Sequence, residues 1–572
     1  LLVFLDPFDF AHRVFHTDVT TSKIVVLGSI VGLIVRRAPV AALNAPATKR
    51  VLAMALLIIA ATLATLASAY YIDAVAREAF KALEYALLFA VAAIATAAQA
   101  REREIVRTIA ASIVVTCAIA IVALGAGGSS ITQSDGTIAA RLSGPLEGPN
   151  QLAGYFDVLA PVMLAAALAS RQIVFVAVVA LCVVCDVLTD SRAGLLGLYA
   201  GSAFVFARLG STARVAIARG IGAIAIAVAA LATIAVARPA LFERTNDFGS
   251  GLGTRSELWP AAIAFFKHHP ILGIGAGNFE LQLARVGLVD VHTHANSLYL
   301  QSLAEGGIVL FLATLAAPVV ALATYGFART RDPLVLGAAG ATMALIVHQL
   351  FDDLTFFPKV GGLYWIVLGI AAGSLARTQI AHARKTRSHD VAIAWSAVAA
   401  VYFAALLAWH GPKAVSDAAT ASRFNIANGR AIPIGVVETA RQRSADVFRG
   451  LYPNNASDPF CCWLAPKARL ETIAPAGAST MIVALLVPNL PFFSHGGQHV
   501  ALTLESKRHE IDFVRPGLQR ISIALDARAV PKDLVLRIET TRTLVPKREH
   551  LNGDTRALGV VLQGIGFRTQ AL

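Results

Sequence analysis

Apolar runs, most of roughly 18 residues or more, recur along this chain, and runs of that length cross a bilayer as helices. They lie at about 23–36, 51–70, 79–99, 105–124, 151–169, 172–189, 192–208 and 213–237, then at 298–327, 333–350, 360–377 and 391–409. That makes about twelve spans. Leu1-Leu2-Val3-Phe4-Leu5 reads as the stub of a further one, and no signal peptide is visible. Only 15% of the 572 residues are charged, against about 25% in a soluble chain, and mean hydropathy is +0.65. The expected fold is therefore mainly α: a polytopic transmembrane bundle of about twelve helices.

The net charge of +13 needs no nucleic acid to explain it, since no basic module interleaved with aromatic residues accompanies it. Basic residues gather in six loops, around Arg36–Arg50, Arg101–Arg107, Arg171, Arg208–Arg219, Arg329–Arg331 and Arg377–Arg387. With the spans as drawn, all six fall on one side, which the positive-inside rule makes cytoplasmic. The opposite side receives 125–150, the turn at Thr189–Arg192, the loop 238–297, the turn 351–359 and everything after 410.

Residues 1–410 thus form the membrane domain and 411–454 a linker with some helical character. A third region, 455–572, is read as a periplasmic β-sandwich. Its period-two runs, such as 480–487, 499–504, 520–525, 533–538 and 559–562, are separated by turn residues. The five cysteines give no disulfide framework. Cys182 and Cys185 lie in an apolar run where packing is expected, and Cys461 and Cys462 are adjacent, without the surrounding histidines of a zinc site.

The polar break from Arg238 to Glu305 holds most of the candidate chemistry. Three arginines on the outer side, Arg141, Arg192 and Arg255, have the side chain suited to a diphosphate, because guanidinium binds phosphate through paired charge-assisted hydrogen bonds. The bland alternative is snorkelling or local pairing, as of Arg192 with Asp190. His292 and His294 precede a span, and a neutral imidazole there could take a proton from a hydroxyl. A solvated helix start is the competing reading. His268 and His269 are expected only to shape the loop. Gly273-x-Gly275-x-Gly277 follows no strand, so it reads as a tight turn rather than a dinucleotide site. His348, Asp352 and Asp353 form a further polar cluster at a span end. Asp157 and Asp186 lie within spans and should face the bundle interior.

These motifs resemble the O-antigen ligase/polymerase superfamily. The matching pieces are Arg141-x-x-Gly144 with Pro149-Asn150-Gln151-Leu152-Ala153, Ser191-Arg192-Ala193, and Arg255-x-x-x-Trp259 with the 269–279 segment. The last is His294-x-Asn296-Ser297-Leu298-Tyr299-Leu300-Gln301. The resemblance covers roughly residues 20–410 and implies an inverting, metal-independent glycosyltransferase without a cofactor. Its implied partners are a glycan on undecaprenyl diphosphate, an acceptor glycan or glycolipid, and the bilayer. It implies a multi-pass protein of the bacterial inner membrane acting at the periplasmic face, with Arg192 and Arg255 on the donor diphosphate, Arg141 nearby, and a histidine serving the acceptor hydroxyl. Many members carry a His-Asn pair directly before the Leu-Tyr-Leu-Gln run. Here Asn296-Ser297 stands there and His294 lies two residues earlier, about 200° away on a helix. Either the helix starts after His294 and the loop brings it back, or Asn296 positions the acceptor. A transporter or flippase of lipid-linked sugars and a protein O-oligosaccharyltransferase are the alternatives. The acceptor is left open.

Overall fold

The computed structural model describes residues 2–8, 11–14, 17–35, 40–99, 101–126, 130–132, 138–208, 255–289, 291, 293–380, 447–452, 463–474, 477–494, 496–526, 532–551 and 553–569. The chain divides into two compact units. The first contains the apolar helices. The second contains the C-terminal sheets together with 277–293.

The helices of the first unit follow the apolar runs. They are α1 (Thr21–Val35), α2 (Pro46–Ala64), α3 (Ile72–Ala98), α4 (Glu102–Gly125), α5 (Pro149–Ser170), α6 (Ile173–Thr189) and α7 (Arg192–Arg208). Then come α8 (Arg255–His268), α9 (Leu298–Ala321), α10 (Pro333–His348) and α11 (Pro358–Ile380). Among the described residues, 6 helices are long and apolar enough to cross a membrane. The expected spans at 213–237 and 391–409 lie outside the described residues.

Local sequence explains the helix boundaries. Pro149 opens α5, where its missing N–H costs nothing. Asp332 caps α10 by accepting from Leu334 N at 2.9 Å, with Pro333 next. α3 begins seven residues before the expected 79, because Glu78 and Lys81 pair at 2.5 Å within its first turns. The core is apolar and aromatic, with Phe89 edge-on to Trp365 at 6.2 Å. Outward faces are apolar too: Ile173 is 81% and Val122 71% exposed. A helix apolar on both faces suits lipid rather than water on its outer side.

Four of the six loops assigned to one side by charge come near one another in space. Arg208 donates to Ala328 O at 3.3 Å, Ser374 bonds Asp332, and Glu102 feels the charges of Asp332 and Arg377. The loops at the other ends of these helices converge on the site described below.

One helix lies inside the polar break where the sequence was read as loop. In α8, Leu258, Ala261, Ala262 and Phe265 are buried at the i, i+3, i+4, i+7 spacing of one helical face. α9 is interrupted at Gly307, whose φ of 57° and ψ of −155° leave the helix. The backbone groups freed there are paired by the glycine turn. Ile274 N and Gly275 N donate to Ala304 O and Glu305 O at 3.0 and 2.8 Å, and Ile308 N donates to Pro270 O at 2.9 Å. Gly273 and Gly275 thus lie in a tight turn docked on a broken helix.

The second unit contains β1 (Val447–Leu451), β2 (Leu464–Ala474), β3 (Ala478–Val487), β4 (Gln498–Leu504), β5 (Lys507–Phe513), β6 (Gly517–Ala524), β7 (Lys532–Thr540) and β8 (Val561–Thr569). They form a three-stranded sheet ordered β6-β3-β8 and a five-stranded sheet ordered β1-β2-β7-β4-β5, antiparallel throughout. One hydrophobic cluster draws on both sheets, with Leu470, Leu502 and Leu536 from one and Val483, Leu485 and Ile565 from the other. β1 lies within the stretch read as linker and pairs with β2, Phe448 opposite Leu470. The sheet region therefore begins ahead of residue 455. Val289 buries itself against Ile482 and Ala484 of β3. Cys182 and Cys185 are buried and free; Cys461 and Cys462 lie outside the described residues.

Candidate active site

Five chain segments supply the site, and hydrogen bonds join them. At the α6–α7 turn, Asp190 adopts φ 55° and ends α6. Ser191 Oγ then accepts from Gly194 N at 3.2 Å and caps α7. That geometry leaves Arg192 at the first position of α7, exposed. Arg141 reaches the same turn from the segment before α5. Its Nε donates to Thr189 O at 2.8 Å, and its Nη2 to Asp190 O at 3.1 Å and Asn150 Oδ1 at 3.2 Å. Asn150, in the first turn of α5, hands the connection on: its Nδ2 donates to Asp352 Oδ2 at 2.7 Å.

Asp352 lies in the turn between α10 and α11 and is 1% exposed. Its Oδ1 accepts from Asp353 N at 2.7 Å and faces His294 Nε2 at 3.4 Å. Arg255, the first residue of α8, donates through Nε to Phe351 O at 2.8 Å, and its Nη2 reaches the same carbonyl. Burial pulls the Arg255 guanidinium below its usual range, Asp352 raises it again, and the nearby charge of Arg192 lowers it. Arginine stays protonated through such shifts. Two guanidinium groups and one carboxylate therefore share a single electrostatic neighbourhood.

His294 is held from every side. Its ring lies 5.2 Å from Phe356 and 5.5 Å from Phe357, and only 4% of the residue is exposed. Asn296 takes φ 50°, a left-handed turn that asparagine tolerates better than most residues. The turn points Asn296 N at His294 Nδ1, 3.1 Å away. Because Nδ1 accepts that bond, the neutral ring carries its proton on Nε2, towards Asp352. Gln301 secures the approach: its Oε1 accepts from Ala295 N at 2.7 Å while its Nε2 donates to Glu305 at 2.8 Å. Leu298 N donates to Gln349 O and Asp352 O at 3.1 and 3.0 Å, tying the start of α9 to the acidic turn.

The two-residue offset of His294 is thereby resolved. α9 starts at Leu298, after His294, and the Asn296 turn brings the imidazole back to Asp352. His292 lies outside the described residues.

Asp353 has a different task. Its Oδ1 accepts from Thr355 Oγ1, Thr355 N and Phe356 N, closing the turn. Burial pushes its carboxyl above the ordinary range, opposed by the charge of His294 and the bond from Thr355.

The hydrogen bond of His348 turns away from the acidic turn, although the charges of Asp352 and Arg255 still reach its ring. The residue is fully buried and bonds Asp157 at 2.6 Å inside the bundle. The last turn of α10 points its side chain inward, while residues 351–357 leave the helix. Asn150, absent from the sequence-based candidates, joins Arg141 to Asp352. Its signals were its place in the Pro149–Ala153 motif and its position, a polar side chain following Gly148-Pro149 at a span start.

Apolar helices closing on a polar, arginine-bearing mouth define a multi-pass membrane protein. Residues 176–315 match the family model described as O-Antigen ligase. That stretch, which carries Arg192, Arg255, His294 and Asn296, supports the resemblance of its motifs to the O-antigen ligase/polymerase superfamily. No curated protein matches the chain.

Proposed function

We propose that the protein is an inner-membrane glycosyltransferase. It moves a glycan from undecaprenyl diphosphate to an acceptor hydroxyl at the periplasmic face and inverts the anomeric centre. The observation that carries this reading is the linking of Arg141 and His294 to Asp352 beside Arg255, with Arg192, Arg255 and His294 in the stretch matched to the O-Antigen ligase family model.

The arginines bind the donor diphosphate and neutralise the charge that builds on it as the glycosidic bond breaks, which is preorganised electrostatic catalysis. Arg192 offers an open guanidinium, and Arg255 one anchored on Phe351. Arg141 already spends donors on Thr189, Asp190 and Asn150, so it shapes the mouth.

On the acceptor side, both nitrogens of His294 are engaged, whereas Oδ2 of Asp352 accepts from Asn150 and keeps capacity for a further bond. Asp352 accepts the hydroxyl proton in this reading, and His294, held by the Asn296 backbone, orients and polarises that carboxylate. The acceptor oxygen forms its bond to the anomeric carbon, and the anomeric carbon–phosphate oxygen bond breaks with its electron pair leaving on the diphosphate. Phe356 and Phe357 keep water from the dyad. The C-terminal sheets form a periplasmic β-sandwich in this reading.

The test is genetic and chemical together. In cells carrying Arg255→Ala at normal protein level, the lipid-linked donor accumulates and the surface glycan is lost. An unchanged glycan profile would refute the assignment.

A further inference from the structure

The acidic turn between α10 and α11 is gripped at both ends. Arg255 of α8 holds the Phe351 carbonyl. Further along, the Tyr85 hydroxyl of α3 donates to Thr355 O at 3.0 Å. Lys81, one helical turn earlier on α3, places Nζ 3.5 Å from Phe356 O and 5.3 Å from the centre of the Phe356 ring. Residues at i and i+4 share a helix face, so both side chains meet the same stretch of the turn.

The surrounding helices are shaped for this contact. Lys81 pairs with Glu78 at 2.5 Å, and Glu78 lies 3.6 Å from Arg77 Nε, which orients the ammonium. Tyr85 is buried. α11 leaves space for its hydroxyl at Gly361, where a Cβ would overlap the Tyr85 oxygen. Gly361 N also donates to Phe357 O at 3.0 Å. Leu354 is buried and fills a notch in α5, where a Cβ on Gly154 would stand 2.7 Å from its Cδ1.

The gripped residues control the groups around His294. Thr355 and Phe356 are the residues whose N–H groups close the turn on Asp353 Oδ1. The Phe356 ring lies 5.2 Å from Phe357 and 5.2 Å from His294. Holding Thr355 O and Phe356 therefore fixes the turn that carries Asp352 and the aromatic wall against the imidazole. Small displacements of groups that must meet a reacting atom are costly in rate.

We propose that Tyr85 and Lys81 are positioning residues for glycosyl transfer. They set the turn that carries Asp352 and keep the Phe356–Phe357 wall closed on His294, so that the acceptor hydroxyl rather than water meets the carboxylate. Phe351 keeps its own anchor on Arg255, so donor binding does not call on them. When the wall loosens, a water oxygen forms the bond to the anomeric carbon and its proton goes to Asp352. The anomeric carbon–phosphate oxygen bond breaks as before, and free glycan is released. The kinetic role rests on the transferase reading; the hold on the turn does not.

The full chain in lipid nanodiscs tests both parts, with undecaprenyl diphosphate-linked glycan as donor and the glycolipids of the donor's source cells as acceptor. Tyr85→Phe keeps the ring and loses the hydroxyl. Its kcat for transfer should fall about 3- to 10-fold, the scale of one hydrogen bond, with KM for the donor unchanged and a larger share of donor released as free glycan. Lys81→Met should do the same, and Lys81→Arg, which keeps a cation over the ring, should restore the wild-type partition. Amide hydrogen exchange across residues 351–357 should quicken in Tyr85→Phe and Lys81→Met. Unchanged transfer, partition and exchange in both variants would overturn the proposal and leave the transferase reading standing. Slower transfer with an equal loss of donor affinity and no extra free glycan would reduce the pair to a structural strut. A wild type that consumes no donor would overturn the transferase reading and the kinetic role with it, while faster exchange in the variants would still show the hold on the turn.

Discussion

At the scale of single residues, geometry sorts groups that look alike in the sequence. Arg141, Arg192 and Arg255 are chemically equivalent, yet one bonds turn carbonyls, one is exposed and one braces Phe351. Arg255→Lys keeps the charge but loses the paired donors. Donor turnover by the purified protein should fall about tenfold or more, because a charge-assisted bond contributes about 1.5–3 kcal/mol. Asp352→Asn should lower kcat by roughly 10² to 10⁴ with little change in donor binding; equal losses in kcat and donor affinity would assign Asp352 to the donor instead. Asn150→Ala removes the link between Arg141 and Asp352 and should fall between the two in a kcat measurement. Spacing and residue type made the arginines and His294 legible. The offset of His294 was not, because it depends on a left-handed Asn296, and one backbone torsion leaves no periodic trace. The partner of His348 was not legible either: it stands four positions before Asp352, yet its hydrogen bond goes to Asp157 inside the bundle.

At the scale of elements, hydropathy carried most of the information. Helices at described positions follow the expected spans to within seven residues at their ends, since each apolar run must satisfy its own backbone in lipid. The amphipathic α8 escaped notice because its buried face is short and sits in a polar stretch. Its Leu258, Ala261, Ala262 and Phe265 spacing was the available signal. The break in α9 was equally hidden, since Gly306-Gly307 reads as an ordinary interruption until the turn at 270–275 is seen to pair with it. Gly307→Ala should expose how much depends on that junction. A Cβ there would meet the Ile271 backbone at 2.4 Å, and a backbone conformation almost confined to glycine adds about 1–3 kcal/mol of strain. Thermal unfolding of the variant in detergent should begin at lower temperature than wild type; an unchanged curve would mean that the junction relaxes freely.

At the scale of the whole molecule, two hydrophobic clusters with no residue in common underlie the two units. The sheets were legible as a class because alternation survives in β4, β6 and β7, while β3 reads as a short continuous apolar run. β1, β2 and β5 were missed, two of them carrying charged residues on exposed positions that blur the pattern. Trp463 is 3% exposed and stacks on Phe493 at 6.4 Å. Trp463→Ala should cost the sheet unit about 3–5 kcal/mol, read as a lowered unfolding transition of that unit in calorimetry. The central claim for the molecule is that its outer mouth grips a lipid-borne diphosphate. The most direct measurement is the affinity of the full chain in nanodiscs for undecaprenyl diphosphate, compared with the Arg192→Ala, Arg255→Ala double variant. The account predicts saturable binding by the wild type, weakened at least about a hundredfold in the folded double variant by the loss of two charge-assisted contacts. Equal affinity in both proteins would contradict it.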